Sequence, residues 1–222
     1  MKGFKKKNLF IQLLMVLMVI ALVGCGGTAP NQEAQEPGNE EGVPAADLIV
    51  KGMSVDGFSY DYVITTPDGE KLTHKMWVKG GNLRSEMENP MGGEPILTII
   101  NADEGLMYVY NPETKYAIQT PMQQSDIQSP KDYLSETDSE GMVFISREIY
   151  DKKDCLVYET NEDGMKGKMW IWEEGGMPLR VESTKDGETV VAEFLNFNIG
   201  DVDNSMFSLP AGTQIMDMSS YQ

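Results

Sequence analysis

Lys75-Met76-Trp77-Val78-Lys79-Gly80-Gly81-Asn82-Leu83-Arg84-Ser85-Glu86-Met87-Glu88 consists of two alternating runs joined at a pair of glycines. Successive side chains of a β-strand point to opposite faces. In the first run Met76 and Val78 therefore share a face and Trp77 lies with the lysines. In the second, Leu83 and Met87 share a face with Ser85, while Arg84, Glu86 and Glu88 take the other. A hairpin with one apolar and one charged face belongs in an antiparallel sheet covered on one side only.

The same grammar runs outward from this hairpin. Short runs of β-rich or alternating composition, broken by turn chemistry roughly every 8 to 12 residues, predict strands near 57–66, 70–79, 82–89, 95–101, 106–111, 115–120, 142–150, 153–160, 165–173, 177–184 and 189–200. Pro67-Asp68-Gly69-Glu70, Asn161-Glu162-Asp163-Gly164 and Lys185-Asp186-Gly187-Glu188 supply Asp-Gly pairs for left-handed positions. Asn111-Pro112-Glu113-Thr114 puts proline second in its turn. Lys168-Met169-Trp170-Ile171, then Gly175-Gly176 and Pro178-Leu179-Arg180, echo the first hairpin. Two widely separated copies fit repeated hairpins of one sheet better than a solenoid. Alternation turns Met169, Ile171, Leu179 and Val181 inward, and Leu195 and Phe197 on the last strand are assigned to the same face. Trp77, with Trp170 and Trp172, falls on the outer face, where cross-strand packing and the docking of a partner are both open readings.

Two segments break the strand pattern. Residues 45–54 place Leu48, Ile49 and Met53 on one helical face, and Ser129-Pro130-Lys131-Asp132 reads as an N-cap with proline at the first helical position. A sheet this long curls, so the expected class is mainly β (α+β), a curved antiparallel sheet of about 11 strands closed by short helices.

The amino terminus carries a different signal. Lys2, Lys5, Lys6 and Lys7 precede an uncharged stretch from Asn8 to Gly24 that ends in Leu22-Val23-Gly24-Cys25. A basic flank, an apolar run and small residues before a cysteine make residues 1–24 a secretory signal peptide. The last four residues resemble the lipobox of bacterial lipoprotein precursors, which implies cleavage before Cys25 and a diacylglyceryl group on its sulfur. More than one acyl chain anchors stably. Residues 25–45 then form a lipidated cysteine and an acidic tether rich in Gly, Pro, Asn and Gln, and residues 46–218 form one domain.

Composition narrows the partners. The chain has 18 basic and 35 acidic residues, a net charge of −17, and loss of the four leader lysines leaves 14 basic residues and a balance of −21. Such a surface repels nucleic acid and anionic head groups alike. With Cys25 consumed by lipid, Cys155 has no disulfide partner within the chain, and its apolar strand makes it a small buried hydrophobe.

At the opening hairpin the chain resembles the bacterial lipoprotein-carrier family of the LolA and LolB type. Its members carry a strand reading Leu-Trp-Val-Lys-Arg-Pro-Asn-Leu, a later segment like Asp-Gly-Lys-x-x-Trp-x-Tyr-x-Pro, and Phe-x-x-x-Pro-x-Gly near the end. The counterparts are Met76 to Leu83, Asp103-Glu104-Gly105-Leu106-Met107-Tyr108-Val109-Tyr110-Asn111-Pro112, and Phe207-Ser208-Leu209-Pro210-Ala211-Gly212. The resemblance implies an incomplete β-barrel closed by short helices around an apolar cavity that takes acyl chains. Gly80-Gly81 stands where that family has Arg-Pro, so the arginine latch implied for its helical lid is missing.

The expected function is binding. A membrane-anchored protein facing outside the cytoplasm holds acyl chains, lipids or lipidated proteins in a cavity lined by Met76, Val78, Leu83 and Met87, by Met169, Ile171, Leu179 and Val181, and by Leu195 and Phe197. The alternative is an envelope sensor of the same fold that docks a protein. Of sixteen methionines, Met1, Met15 and Met18 lie in the leader, and the thirteen that remain suit a site that moulds itself to alkyl chains or fill gaps in a core. No catalytic residue, metal site or cofactor is expected. His74 is the single histidine and lacks a partner set, and Asn196, Asn198, Asp201, Asp203 and Asn204 lack the pattern of a calcium loop and read as a strand-to-turn corner.

Overall fold

Two runs of hairpins, separated by a helical link, account for the chain's architecture. The computed structural model describes residues 43–89, 92–122, 129–162 and 164–218; the expected leader, Cys25 and the expected tether up to residue 42 lie outside them. Helix α1 (Ala45–Met53) is followed by β1 (Gly57–Thr65), β2 (Lys71–Lys79), β3 (Asn82–Met87), β4 (Ile96–Asn101), β5 (Leu106–Asn111) and β6 (Tyr116–Pro121). After α2 (Pro130–Glu136) come β7 (Val143–Tyr150), β8 (Lys153–Glu162), β9 (Met165–Trp172), β10 (Pro178–Lys185) and β11 (Glu188–Ile199), and the chain ends with β12 (Gln214–Asp217). The order across the single open sheet is β12-β6-β5-β4-β3-β2-β1-β11-β10-β9-β8-β7. The two meanders are thus fused where β1 pairs antiparallel with β11. The incomplete barrel capped by short helices is the architecture found.

All eleven expected strands are present. The turns obey their chemistry: Gly80 and Gly81 both have positive φ, 57° and 84°, and join β2 to β3 as a two-residue hairpin. Proline, locked near −65°, cannot occupy the second of those positions, which explains on backbone grounds why an Arg-Pro pair is incompatible with this turn.

Both helices lie against the inner face of the sheet. The Asp132 carboxylate caps α2 by accepting from the backbone N–H and the Oγ of Ser129, both at 2.7 Å, and Leu134 beneath it is buried. Helix α1 buries Ala45, Leu48 and Gly52. Met53, expected on the buried face, is 42% exposed, because the helix seats through Gly52 directly on the β9–β10 turn. A Cβ on Gly52 would stand 2.3 Å from the Gly176 carbonyl oxygen. Under the helices Ile171, Leu179, Phe194 and Leu156 are fully buried, and Phe58, Tyr60 and Phe197 stack with centroids 5.4 to 6.0 Å apart.

Strand β11 departs from simple alternation. Its register against β1 shifts between Ser59 and Asp61, and Asn196 takes a left-handed φ of 51°, with its N–H donated to the Asp151 carboxylate at 2.6 Å. Phe194 and Phe197 consequently both point inward. Leu195, assigned to the inner face from the sequence, is carried to the opposite side by this bulge.

Beyond β11 the chain turns the expected corner and crosses the outer face. Lys79 Nζ holds Asp201 Oδ1 at 2.6 Å and the Val202 carbonyl at 2.9 Å; Arg84 donates to the Met206 carbonyl at 3.2 Å. Leu209 packs on Leu97, Tyr110 and Ala117, and β12 then pairs parallel with β6. This twelfth strand, four residues long, carries no sequence signal of its own. Gly52→Val is expected to lower stability by about 1–3 kcal/mol, as overpacking does, whereas Ala46→Val on the exposed side of α1 stays within about 0.5 kcal/mol; urea denaturation of both variants measures the difference.

Candidate functional site

Register divides the inner face into a covered and an uncovered half. On β1, β2 and β8–β11 the inward side chains meet α1 and α2. Met76, Val78, Met169, Ile171, Leu179, Val181 and Phe197, seven of the ten residues expected to line a cavity, are here between 0% and 7% exposed. Leu83, on the neighbouring strand, joins the same core at 6%. These side chains are packed against one another, so this half is filled.

The half that no described helix covers begins at β3. Pairing places Met87 beside Ile96, Thr98 beside Val109, and Val109 beside Ile118, with Met216 of β12 next in line. Val109 is 37% exposed, Tyr116 and Ile118 46%, and Met216 52%, a run of apolar surface across adjacent strands. Of the expected residues only Met87 lies on this wall, half-buried. Ile96, Val109, Ile118 and Met216 escaped the sequence reading because Ile96-Leu97-Thr98-Ile99-Ile100 is apolar on both faces. Leu97 and Ile99 are buried on the outer face, on the side of the sheet crossed by the C-terminal segment, so alternation cannot say which face looks inward.

Polar groups sit where the two halves meet. His74 Nδ1 and Ser85 Oγ are 3.1 Å apart, and the Tyr62 and Tyr133 hydroxyls 3.5 Å apart. Burial holds the imidazole of His74 below its ordinary value and, with the neighbouring Tyr62, pushes the Tyr133 phenol up. The Tyr60 hydroxyl and Thr120 Oγ1 are buried without a hydrogen-bond partner among the described residues. No three His, Cys, Asp or Glu side chains among the described residues converge as a metal site would require. Two other concavities lie at the margins: one of about 570 Å³ between the β1–β2 and β10–β11 turns, lined by Asp68 and Glu188, and one of about 290 Å³ beside β7 and β8.

The outer-face aromatics are engaged in packing. Trp170, 6% exposed, donates through Nε1 to Glu148 Oε2 at 2.7 Å and stacks under Lys168 and Arg180, 4.6 and 5.2 Å from its ring. Arg180 also pairs with Glu182 and Glu193, and Tyr150 donates to Glu193. Trp77 and Trp172 are half-buried beneath Arg84 and Lys153. Cys155 is buried, and burial pushes its thiol up to about 12, the state of an inert thiol. Among the described residues no helix is long and apolar enough to cross a membrane.

No family model matches the chain, and no curated protein matches it in sequence. Its fold is shared with solved structures. An uncharacterized conserved protein from Thermus thermophilus superposes with a TM-score of 0.52 at 13% identity, over 78% of this chain and 96% of that one. MucB superposes with a TM-score of 0.50 at 13% identity over 77% of this chain, and again at 0.50 in the MucA/MucB complex of Pseudomonas aeruginosa, at 13% identity over 78% of this chain. This chain spans 63% and 64% of MucB in those two structures. MucB has a LolA-like fold, so the resemblance carried by the three sequence motifs holds at the level of fold.

A depressed imidazole means that the folded protein binds fewer protons than the unfolded chain below about pH 6.5. The His74 contribution is therefore whole above about pH 6.5 and declines as pH falls toward the folded value. Measured from about pH 7.5 to about pH 5, wild-type stability should fall faster than that of His74→Gln; parallel curves would show that the imidazole is not held neutral.

Proposed function

We propose that this chain is an extracytoplasmic, membrane-anchored lipoprotein whose uncovered inner wall binds acyl chains of lipids or lipidated proteins. The observation that carries the reading is the wall itself. Val109, Ile118 and Met216 stand 37% to 52% exposed in a contiguous row, beside a half of the same face whose equivalent positions are buried under helices. Monomeric proteins rarely leave such strips open without a binding role. Burial of alkyl surface at about 25 cal/mol per Å² provides several kcal/mol per chain before ordering costs, with no covalent step. Met87, Met107 and Met216 add flexible thioethers to the wall, which suits chains of variable shape.

The anchor belongs to the same proposal. Residues 1–24 act as the leader, Cys25 carries the lipid, and the tether reaches on the order of 25 Å. Such a tether would meet the domain near Val43, whose carbonyl accepts from the Tyr158 hydroxyl on β8. A carrier so tied receives or holds cargo within that radius.

A second reading, protein docking, is favoured by MucB, which has been solved in complex with MucA. Strand β7 suits such a role, because Val143, Ile145 and Ile149 on this edge of the sheet are 63%, 40% and 78% exposed.

Two experiments separate these ideas. Metabolic labelling with palmitate should tag the wild-type chain and leave Cys25→Ala unlabelled; equal labelling removes the anchor. Organic extraction and mass spectrometry of the purified full chain should recover an amphiphile that Ile118→Arg no longer retains, with stability changed by about 0.5 kcal/mol or less. Ile171→Ala should instead cost about 2–5 kcal/mol through cavity formation in the filled half. Repeated extraction of protein free of any amphiphile, with one crosslinked protein partner in cells, is the result that transfers the function to docking.

A further inference from the structure

The apolar wall runs, by register, into a shelf of neutral hydrogen-bonding groups. One inner-face row passes from Tyr60 on β1 through Met76, Ser85, Thr98, Val109 and Ile118 to Met216 on β12. The row beside it joins Tyr62, His74, Met87 and Ile96. Both rows are polar near α2, and the first is apolar beyond Thr98. From Ser85 to Met216 that row crosses β3-β4-β5-β6-β12, four steps of about 4.8 Å, or about 19 Å of sheet, the scale of a long acyl chain.

The shelf holds donors that the protein itself does not use. Tyr60 is 3% exposed, its ring enclosed by Phe58, Phe194 and Phe197, yet its hydroxyl has no hydrogen-bond partner among the described residues. Tyr62, Asp132 and Tyr133 are the groups that act on that hydroxyl, which puts it beneath α2. The link from α2 to β1 at this point, between the Tyr133 and Tyr62 hydroxyls, is 3.5 Å long, at the limit of a hydrogen bond, and uses one of their two hydrogens. His74 Nδ1 and Ser85 Oγ, 3.1 Å apart, complete the shelf on the side of the wall. A buried donor left unmade carries its full desolvation cost, which an acceptor on a ligand removes.

Charge near the shelf decides what kind of acceptor fits. Asp132 and Glu136 of α2 both act on the Tyr133 phenol. Lys131 of the same helix donates to the Met53 carbonyl at 3.1 Å and lies over Phe58. Lys75 takes the outer face of β2 by alternation, and Lys71, Lys185 and Lys115 stand at the ends of β2 and β10 and in the β5–β6 turn. Burial holds His74 toward its neutral form. A carboxylate head would meet two acids and a neutral imidazole. An ammonium head would bring donors to hydroxyls whose hydrogens are the unused atoms.

We infer that the shelf binds the uncharged carbonyl of an acyl ester or amide, whose chain lies along Val109, Ile118 and Met216 and whose oxygen accepts from Tyr60 and from the unused hydroxyl of the Tyr62–Tyr133 pair. This rests on the acyl-chain reading above and selects among head groups. The carbonyl enters between α2 and β2, where Tyr62, His74 and Tyr133 are half-buried. It replaces one bond at the limit of length and one that is not made at all.

The test uses the full chain in phosphatidylcholine vesicles and four probes that share one alkyl chain with a photoactivatable group at its end. Their heads are a glycerol ester, a carboxylate, a primary amine and none. Labelled peptides are mapped by mass spectrometry and normalised to labelled lipid. At about pH 8, where the carboxylate is ionised and histidine neutral, the ester should label β5 and β6 about tenfold more than the carboxylate or the amine, the scale of one hydrogen bond. Tyr60→Phe should lower ester labelling about tenfold and leave labelling by the plain hydrocarbon as it was. Its stability in urea should be unchanged or higher, because the variant loses a buried hydroxyl without a partner; a tyrosine with a purely structural role gives no such split. Carboxylate or amine labelling equal to that of the ester, or ester labelling unchanged in Tyr60→Phe, overturns the carbonyl assignment and leaves the wall as a binding site. Absence of β5 and β6 labelling by all four probes, or labelling untouched by Ile118→Arg, overturns the acyl-chain reading itself.

Discussion

The pairing of β1 with β11 is the constraint on which the molecule depends. Each meander is built from local hairpins, but β1 and β11 are joined along seven residue pairs although they lie at opposite ends of the domain sequence. Closing so long a loop costs entropy that only the burial beneath it offsets. Phe58, Tyr60, Phe194 and Phe197 lie on this seam and form its aromatic stack. The bulge at Asn196 turns two phenylalanines three residues apart to the same side, so an irregularity in the ladder fills the centre of the core.

Both helices dock over this seam and the second meander, and their reach sets the boundary of the candidate site. Gly52 of α1 seats on Gly176, and Tyr133 of α2 meets Phe194 edge to face. Neither extends over β4–β6. A sheet twelve strands wide has more inner face than two helices of nine and seven residues can cover, and the excess is the uncovered wall. Its openness therefore follows from the geometry of closure.

The outer face has its own economy. At one wing it is covered by the C-terminal segment, held by Lys79 and Arg84; at the other it is covered by side chains alone, with Arg180 lodged among Trp170, Tyr150, Glu182 and Glu193. The motif ending in Pro210 and Gly212 thus has a structural role, since Leu209 packs under the first wing and Gly212 turns the chain into β12. The tryptophans that the sequence placed on this face are there, and the structure resolves the two readings of Trp170 in favour of packing.

Alternation, turn chemistry and capping residues determined the eleven strands, both helices and the inward direction of Met76, Leu83, Ile171 and Leu179, because these signals are local to one strand or turn. The lipobox-like pattern ending at Cys25 lies outside the described residues and rests on the sequence alone. What tertiary structure alone decided was which inward residues are covered and which are open, where the extra residue of β11 falls, and that a four-residue segment joins the sheet in parallel. These depend on contacts between segments far apart in the chain. Periodicity states that a residue has a side; only the packing of distant elements determines whether that side meets a helix, a strap or open space.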